Sequence, residues 1–236
     1  MGDSVVHRLV TTASETFERA MDPPVRGLLH RPAQAPRDAL ILTHGAGSNC
    51  RAPLLVALAN LFAQYGYLVL RCDLPFRQVR PTGPPRPGDA PRDRQGLANS
   101  VATVKELISG RIFLGGHSYG GRQSTMLVAE HPELVSGLLL LSYPLHPPRN
   151  PQQLRVQHLP KLRVPSLFVH GTRDPFGSIQ EIESALKLIP AAARILTVDG
   201  AGHDLGFKGK KTGEELPIGI LEAFRQLIGS PNTNQQ

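Results

Sequence analysis

Short apolar runs, each halted by glycine or proline, recur along the chain. Leu40-Ile41-Leu42-Thr43-His44 stops at Gly45-Ala46-Gly47, Tyr67-Leu68-Val69-Leu70 ends toward Asp73 and Pro75, and Ile112-Phe113-Leu114 ends at Gly115-Gly116. Leu138 to Leu141 gives way to Tyr143-Pro144, Ser166 to Val169 to Gly171, and Ile195 to Val198 to Gly200. The runs are apolar at odd and even positions alike, the pattern of parallel strands covered on both faces. Between them apolar residues return at helical spacing: Leu54 to Gln64, Gly96 to Ile108, about Gly121 to Glu130, Ile179 to Ile189, and Glu215 to Ile228. Strand alternating with helix predicts an α/β fold, a wound, mostly parallel sheet with helices on both faces. Residues 5–12 and 25–30 read as an antiparallel pair preceding it. No internal repeat is visible. Residues 1–229 read as one domain and 230–236 as a disordered tail.

Two stretches break the alternation. Residues 75–93 are rich in Pro, Arg and Gly, and residues 143–160 in Pro and polar groups. Each follows a strand, so each is expected at the carboxyl edge of the sheet, where α/β folds place ligands. Phe76 and Tyr143 in these stretches are therefore expected substrate contacts.

Composition narrows the class. With 40% hydrophobic and 19% charged residues the 236-residue chain can build a core. No run approaches the ~20 apolar residues of a membrane span, and Met1 to Thr12 lacks the apolar centre of a secretory leader. Two cysteines, Cys50 and Cys72, are too few for a disulfide framework and have no metal-type spacing. A cytoplasmic protein without metal or cofactor is expected, with Cys72 a core residue. The net charge of +7 raises the question of nucleic acid. Its conspicuous carriers, Arg77, Arg80, Arg86, Arg92 and Arg94, lie among prolines with no aromatic ladder between them, which predicts a solvated loop and argues against single-strand binding. Anion recognition there is the lesser reading.

The chemistry begins at Gly116-His117-Ser118-Tyr119-Gly120, a G-x-S-x-G pattern between a predicted strand and a predicted helix. A nucleophile lifted above a sheet needs a sharp, strained turn, and the flanking glycines remove Cβ atoms that would clash. Serine needs an adjacent base. Of nine histidines, His203 sits in a glycine-flanked loop after the last strand, able to carry its ring over the sheet. His117 leaves the elbow itself, His131 adjoins Pro132 at a helix end, and His170 closes a strand. The base in turn needs an acceptor for its second ring nitrogen. Asp174, in His170-Gly171-Thr172-Arg173-Asp174-Pro175, occupies the neighbouring loop; Asp199 and Asp204 are weaker candidates. The chain order Ser118, Asp174, His203 is that of one hydrolase fold and differs from the chymotrypsin and subtilisin orders. For the oxyanion, the backbone N–H of Tyr119 at the helix N-terminus is one expected donor. Ala46 is the other, with Gly47 close behind, and His44 is expected to support that loop. Gly47 and His117 are further expected substrate contacts.

These segments resemble the α/β-hydrolase superfamily over nearly the whole chain. The likeness rests on Thr43-His44-Gly45-Ala46-Gly47-Ser48, Arg71-Cys72-Asp73-Leu74-Pro75-Phe76, Gly115 to Gly121, Leu141-Ser142-Tyr143-Pro144-Leu145, and His170 to Gly177. More narrowly it is similar to a dienelactone-hydrolase-like group whose animal members include testis-expressed relatives and a subunit of a histone-acetyltransferase complex. The resemblance implies an eight-stranded sheet with its second strand antiparallel, and the same Ser118, Asp174 and His203. Authentic dienelactone hydrolases carry cysteine at the elbow, so dienelactone is not the expected substrate. Nor is the residue an aspartate, against dehalogenase or epoxide-hydrolase chemistry. The expected function is a serine hydrolase of a small ester or thioester, a small-molecule acyl substrate being its partner. The alternative is a non-catalytic interaction module on the same scaffold. Residues 143–160 are too few for a helical lid domain, which predicts an open site.

Overall fold

Period-two alternation along the strands divides the core into two layers. In β3 (Ala39–Thr43), Ala39 and Ile41 face one side and Leu40 and Leu42 the other, all fully buried. The computed structural model describes residues 13–207 and 215–229. Its remaining strands are β1 (Ser14–Arg19), β2 (Val25–His30), β4 (Leu68–Cys72), β5 (Ile112–His117), β6 (Leu138–Leu141), β7 (Ser166–Gly171) and β8 (Ala193–Val198). They form one eight-stranded sheet in the order β1-β2-β4-β3-β5-β6-β7-β8. β2 runs antiparallel to both its neighbours, and the pairings from β4 to β8 are parallel.

The helices are α1 (Pro53–Gln64), α2 (Pro75–Val79), α3 (Asp89–Lys105), α4 (Tyr119–Glu130), α5 (Ile179–Leu186) and α6 (Glu215–Gly229). Leu55, Leu58 and Phe62 of α1 and Ile220 and Phe224 of α6 bury one face of the sheet. Leu97, Val101 and Val104 of α3, Leu127 and Val128 of α4, and Ile182 of α5 bury the other. Among the described residues no helix is long and apolar enough to cross a membrane.

Two expectations change. Residues 25–30 are β2, but the strand that precedes it and pairs with it among the described residues is β1; residues 5–12 lie outside them. β1, Ser-Glu-Thr-Phe-Glu-Arg, is an edge strand with five of its six residues exposed, so no apolar run announces it. Residues 75–93 are also not wholly irregular. Pro75 starts α2 at a position where its missing N–H costs nothing, and α3 begins at Asp89. The two helices meet at Gly96, where a Cβ would lie 2.5 Å from Pro75 Cγ. Residues 143–160 contain no strand, and only a short 3-10 turn, Leu159–Lys161, reaches into their end. Among the described residues there is no lid domain.

Candidate active site

β5 ends at His117, α4 begins at Tyr119, and Ser118 makes the turn with φ 51° and ψ −115°. A serine held there costs on the order of 1–3 kcal/mol, so its surroundings must impose the shape. Ser118 N–H donates to Leu141 O of β6 at 2.8 Å, and Arg122 N–H donates back to Ser118 O at 3.0 Å. Close approach does the rest: a Cβ on Gly116 would lie 2.9 Å from the carbonyl carbon of Gly120, and one on Gly120 would lie 2.5 Å from His44 O.

The elbow delivers Ser118 Oγ to within 2.8 Å of His203 Nε2. His203 Nδ1 lies 2.8 Å and 3.0 Å from the two carboxylate oxygens of Asp174. The Asp174 side chain is fully buried, and its Oδ1 also accepts from Phe176 N–H at 2.9 Å. With the carboxylate accepting, Nδ1 carries the proton and Nε2 is left as the base toward the serine hydroxyl. Ser118, His203 and Asp174 thus form a complete Ser–His–Asp triad. The weaker candidates have other partners: Asp199 accepts from Thr172, and Asp204, though it lines the same cavity, accepts from Gly206 N–H in its own turn.

The base is held on two sides. The Phe176 ring lies against the imidazole, with centroids 4.2 Å apart and planes inclined 31°. His117 Nε2 donates to His203 O at 2.7 Å, pinning the loop by its backbone. Burial pushes His117 down to about 4, so it stays neutral there. That anchoring was not legible in the sequence, which showed only that His117 leaves the elbow.

Across Ser118 lies the loop after β3. Ser48 N–H closes a turn onto Gly45 O at 3.1 Å, and a Cβ on Gly45 would lie 3.4 Å from Ser118 Cβ. His44 is buried; its Nδ1 donates to Gly45 O and its Nε2 accepts from Leu74 N–H. Burial pushes this imidazole down as well, so it serves as a neutral strut. Arg77 overturns an expectation: it is not solvated but buried. Its guanidinium donates to Ser48 O at 2.7 Å, Ala46 O at 2.9 Å, Gly83 O at 2.8 Å and Arg80 O at 3.0 Å. Four carbonyls of two loops satisfy one cation, and the loop facing Ser118 is clasped through its own backbone.

A cavity of about 660 Å³ opens over the serine. His44 to Ser48, His117, Ser118 and His203 line it together with the Asp204 carboxylate, and Ala52 to Leu55, Pro175, Phe176 and Phe207 add apolar surface. Ala46, Gly47 and His117 line the cavity together with Ser118. Phe76 and Tyr143 do not. Phe76 is buried between His44 and Tyr119, at centroid distances of 5.6 Å and 5.8 Å. Tyr143 turns inward against Phe168, its hydroxyl donating to Arg155 O at 2.7 Å. Both follow strand ends, as expected, but a large apolar ring is stabilised more by the core beneath the loop than by the solvent above it. The sequence missed Phe176 and Phe207, whose wall positions depend on loop paths.

Tyr119 opens α4, and its hydroxyl donates to buried Asp93 at 2.7 Å. Cys50 and Cys72 are both buried free thiols pushed up to about 12 by burial, which removes them as nucleophiles. Among the described residues no three His, Cys, Asp or Glu side chains are grouped as a metal site requires.

Known structures share this architecture. The chain is similar to Est1E from Butyrivibrio proteoclasticus, 16% identical with TM-score 0.71, covering 91% of this chain and 99% of that one. It is similar to a dienelactone hydrolase from Anabaena variabilis, 19% identical with TM-score 0.69, covering 93% and 98%. It is also similar to an alpha-beta serine hydrolase homologue from Coxiella burnetii, 18% identical with TM-score 0.69, covering 91% and 98%. At these identities the likeness is one of fold. The sequence model of an alpha/beta hydrolase domain family matches residues 36–228, from just before β3 to the last turn of α6. Strand order, elbow and triad order agree with that match, and the chain belongs to the α/β-hydrolase family.

Proposed function

We propose that the protein hydrolyses small carboxylic esters or thioesters through an acyl-enzyme. The observation that carries this reading is the continuous series from Ser118 Oγ through His203 to buried Asp174, each link at 2.8 Å. His203 Nε2 takes the hydroxyl proton as Ser118 Oγ attacks the carbonyl carbon, and Asp174 stabilises the imidazolium. The carbonyl oxygen becomes an oxyanion received by the backbone N–H groups of Tyr119 and Ala46, with Gly47 beside them. His203 then protonates the leaving alkoxide or thiolate. Water, deprotonated by the same nitrogen, releases the acid and restores Ser118.

The mostly apolar lining and the Asp204 carboxylate support a largely apolar substrate without negative charge, with Gly47 and His117 as contacts. The cavity volume fits a small acyl group and its leaving group better than a polymer. Two buried free thiols fit a reducing, cytoplasmic setting.

Hydrolysis of p-nitrophenyl acetate tests the reading. Ser118→Ala is expected to lower turnover by up to ~10⁶, because the triad acts as a unit. Unchanged turnover in that variant refutes the assignment. A fluorophosphonate should label Ser118 in the folded wild-type protein. Failure to label would favour the non-catalytic module.

A further inference from the structure

Two aspartates belong to the active site, and their carboxylates are treated in opposite ways. Asp174 is sealed: its side chain is fully buried and its oxygens are taken by His203 Nδ1 and Phe176 N–H. Asp204 is half-buried and lines the cavity. Its Oδ1 accepts from Gly206 N–H at 3.0 Å, and its Oδ2 has no hydrogen-bond partner among the described residues. That oxygen is not among the buried polar atoms left unpartnered, so it is open to solvent. Asp22, Asp38 and Asp89 each meet an arginine in this basic chain, whereas among the described residues no cation pairs with Asp204.

The rest of the lining does not offset that charge. Among the described residues no lysine or arginine lines the cavity. Burial pushes His44 and His117 down, so both are neutral. The remainder is small or apolar, with the aromatic side chains of Phe176 and Phe207 on the same cavity as the carboxylate. A wholly apolar substrate seated there would strip water from Asp204 and give nothing back, which is unfavourable for an ionised group. An anionic substrate would be repelled. An ammonium group is attracted by the carboxylate and by aromatic rings, and a quaternary one needs no acceptor of its own.

The chain also sets which half of the substrate carries the cation. Asp204 directly follows His203, whose Nε2 lies 2.8 Å from Ser118 Oγ and protonates the leaving group in the proposed reaction. The leaving group therefore departs on the His203 side, and the carbonyl oxygen turns toward the loop after β3. We propose that Asp204 selects esters or thioesters whose leaving group carries an ammonium charge, so that an amino alcohol or amino thiol is released. This deepens the hydrolase reading and rests on it for the chemistry. The acyl C–O or C–S bond breaks, water supplies hydroxyl to the acid and a proton to the leaving oxygen or sulfur, and the ammonium group is unchanged.

Acetylthiocholine and its uncharged carbon isostere, with a tert-butyl group in place of the trimethylammonium, test the proposal at equal ionic strength. The wild type should favour the cation ~10-fold or more in kcat/KM. Asp204→Asn keeps an acceptor for Gly206 N–H but removes the charge, and should bring the ratio to within about twofold of one. Taking the ratio within one enzyme cancels any general effect on the neighbouring His203. Asp204→Ser is the second variant should Asp204→Asn not fold. A wild-type ratio near one overturns the proposal whatever the variants do, and so does an undiminished ratio in a folded variant. Ser118→Ala separates this proposal from the reaction, since calorimetric titration reads affinity without turnover. It should bind the cation in preference to the isostere. That preference, with no hydrolysis of either compound by the wild type, upholds Asp204 and refutes the hydrolase reading. Hydrolysis of both without preference does the reverse, and neither binding nor hydrolysis overturns both.

Discussion

The two sides of Ser118 are built by different means. On one side, side chains do the chemistry and the contacts are side chain to side chain, from Ser118 to His203 to Asp174. On the other, where the proposed reaction uses backbone N–H groups, the loop is fixed by Arg77 and His44 from behind. A relay of side chains depends on which residues are present. An oxyanion loop depends on how rigidly its backbone is held, and almost any small residue can stand in it.

Replacing relay groups should therefore cost most. Asp174→Asn keeps the shape of the carboxylate but cannot enforce the Nδ1–H tautomer, and is expected to lower kcat about 10⁴-fold. A pre-steady-state burst of p-nitrophenol would follow the loss, and a fall of less than tenfold would show that Asp174 does not orient the base.

Arg77→Gln probes the other side without touching substrate. It strips the carbonyls of Ala46 and Ser48 of their donor. The loss expected is ~10²–10³ in kcat, comparable to losing one oxyanion donor. KM should change little, because the apolar walls remain. A rise in KM with kcat intact would mean that the clasp shapes the cavity and leaves the oxyanion unaffected. Smaller still is His117→Asn, which loosens the His203 loop at its backbone. Roughly tenfold in kcat is expected, under the ~10² that a misplacement of 1 Å can cost.

The smallest effect is on stability. His30, His117 and His158 are each pushed down to about 4, mainly by burial, against 6.5 when unfolded. Each is neutral in the folded chain and takes up a proton on unfolding between those values. Their contribution is fully present above pH 6.5 and is lost as pH falls from there toward 4. Urea unfolding at pH 7 and pH 5 should show the decline. In His117→Asn it should be shallower by up to about one proton, and an identical slope would mean that His117 is not neutral in the native state.

The triad was legible because each member stands directly after a strand-like run in a glycine- or proline-marked loop, and strand order then places the loops side by side. The positions of Ala46 and Gly47 in the cavity lining follow in the same way from the glycine-marked loop after β3. Phe76 and Tyr143 were misplaced because position after a strand says where a backbone lies, not which way a ring turns. Arg77 was read as solvated with its arginine neighbours, since nothing local distinguishes a guanidinium that will find four carbonyls from one that will face water. β1 stayed invisible because an edge strand needs no apolar face.

Hydrophobic periodicity, glycine punctuation and the order of three reactive residues are local or one-dimensional properties. They determined the α/β class, the elbow and the triad. Only the tertiary structure decided what clasps the loop facing Ser118 and which rings wall the cavity. Those features are sums over contacts between segments far apart in sequence. Their energies depend on burial and on partners that the local sequence does not specify.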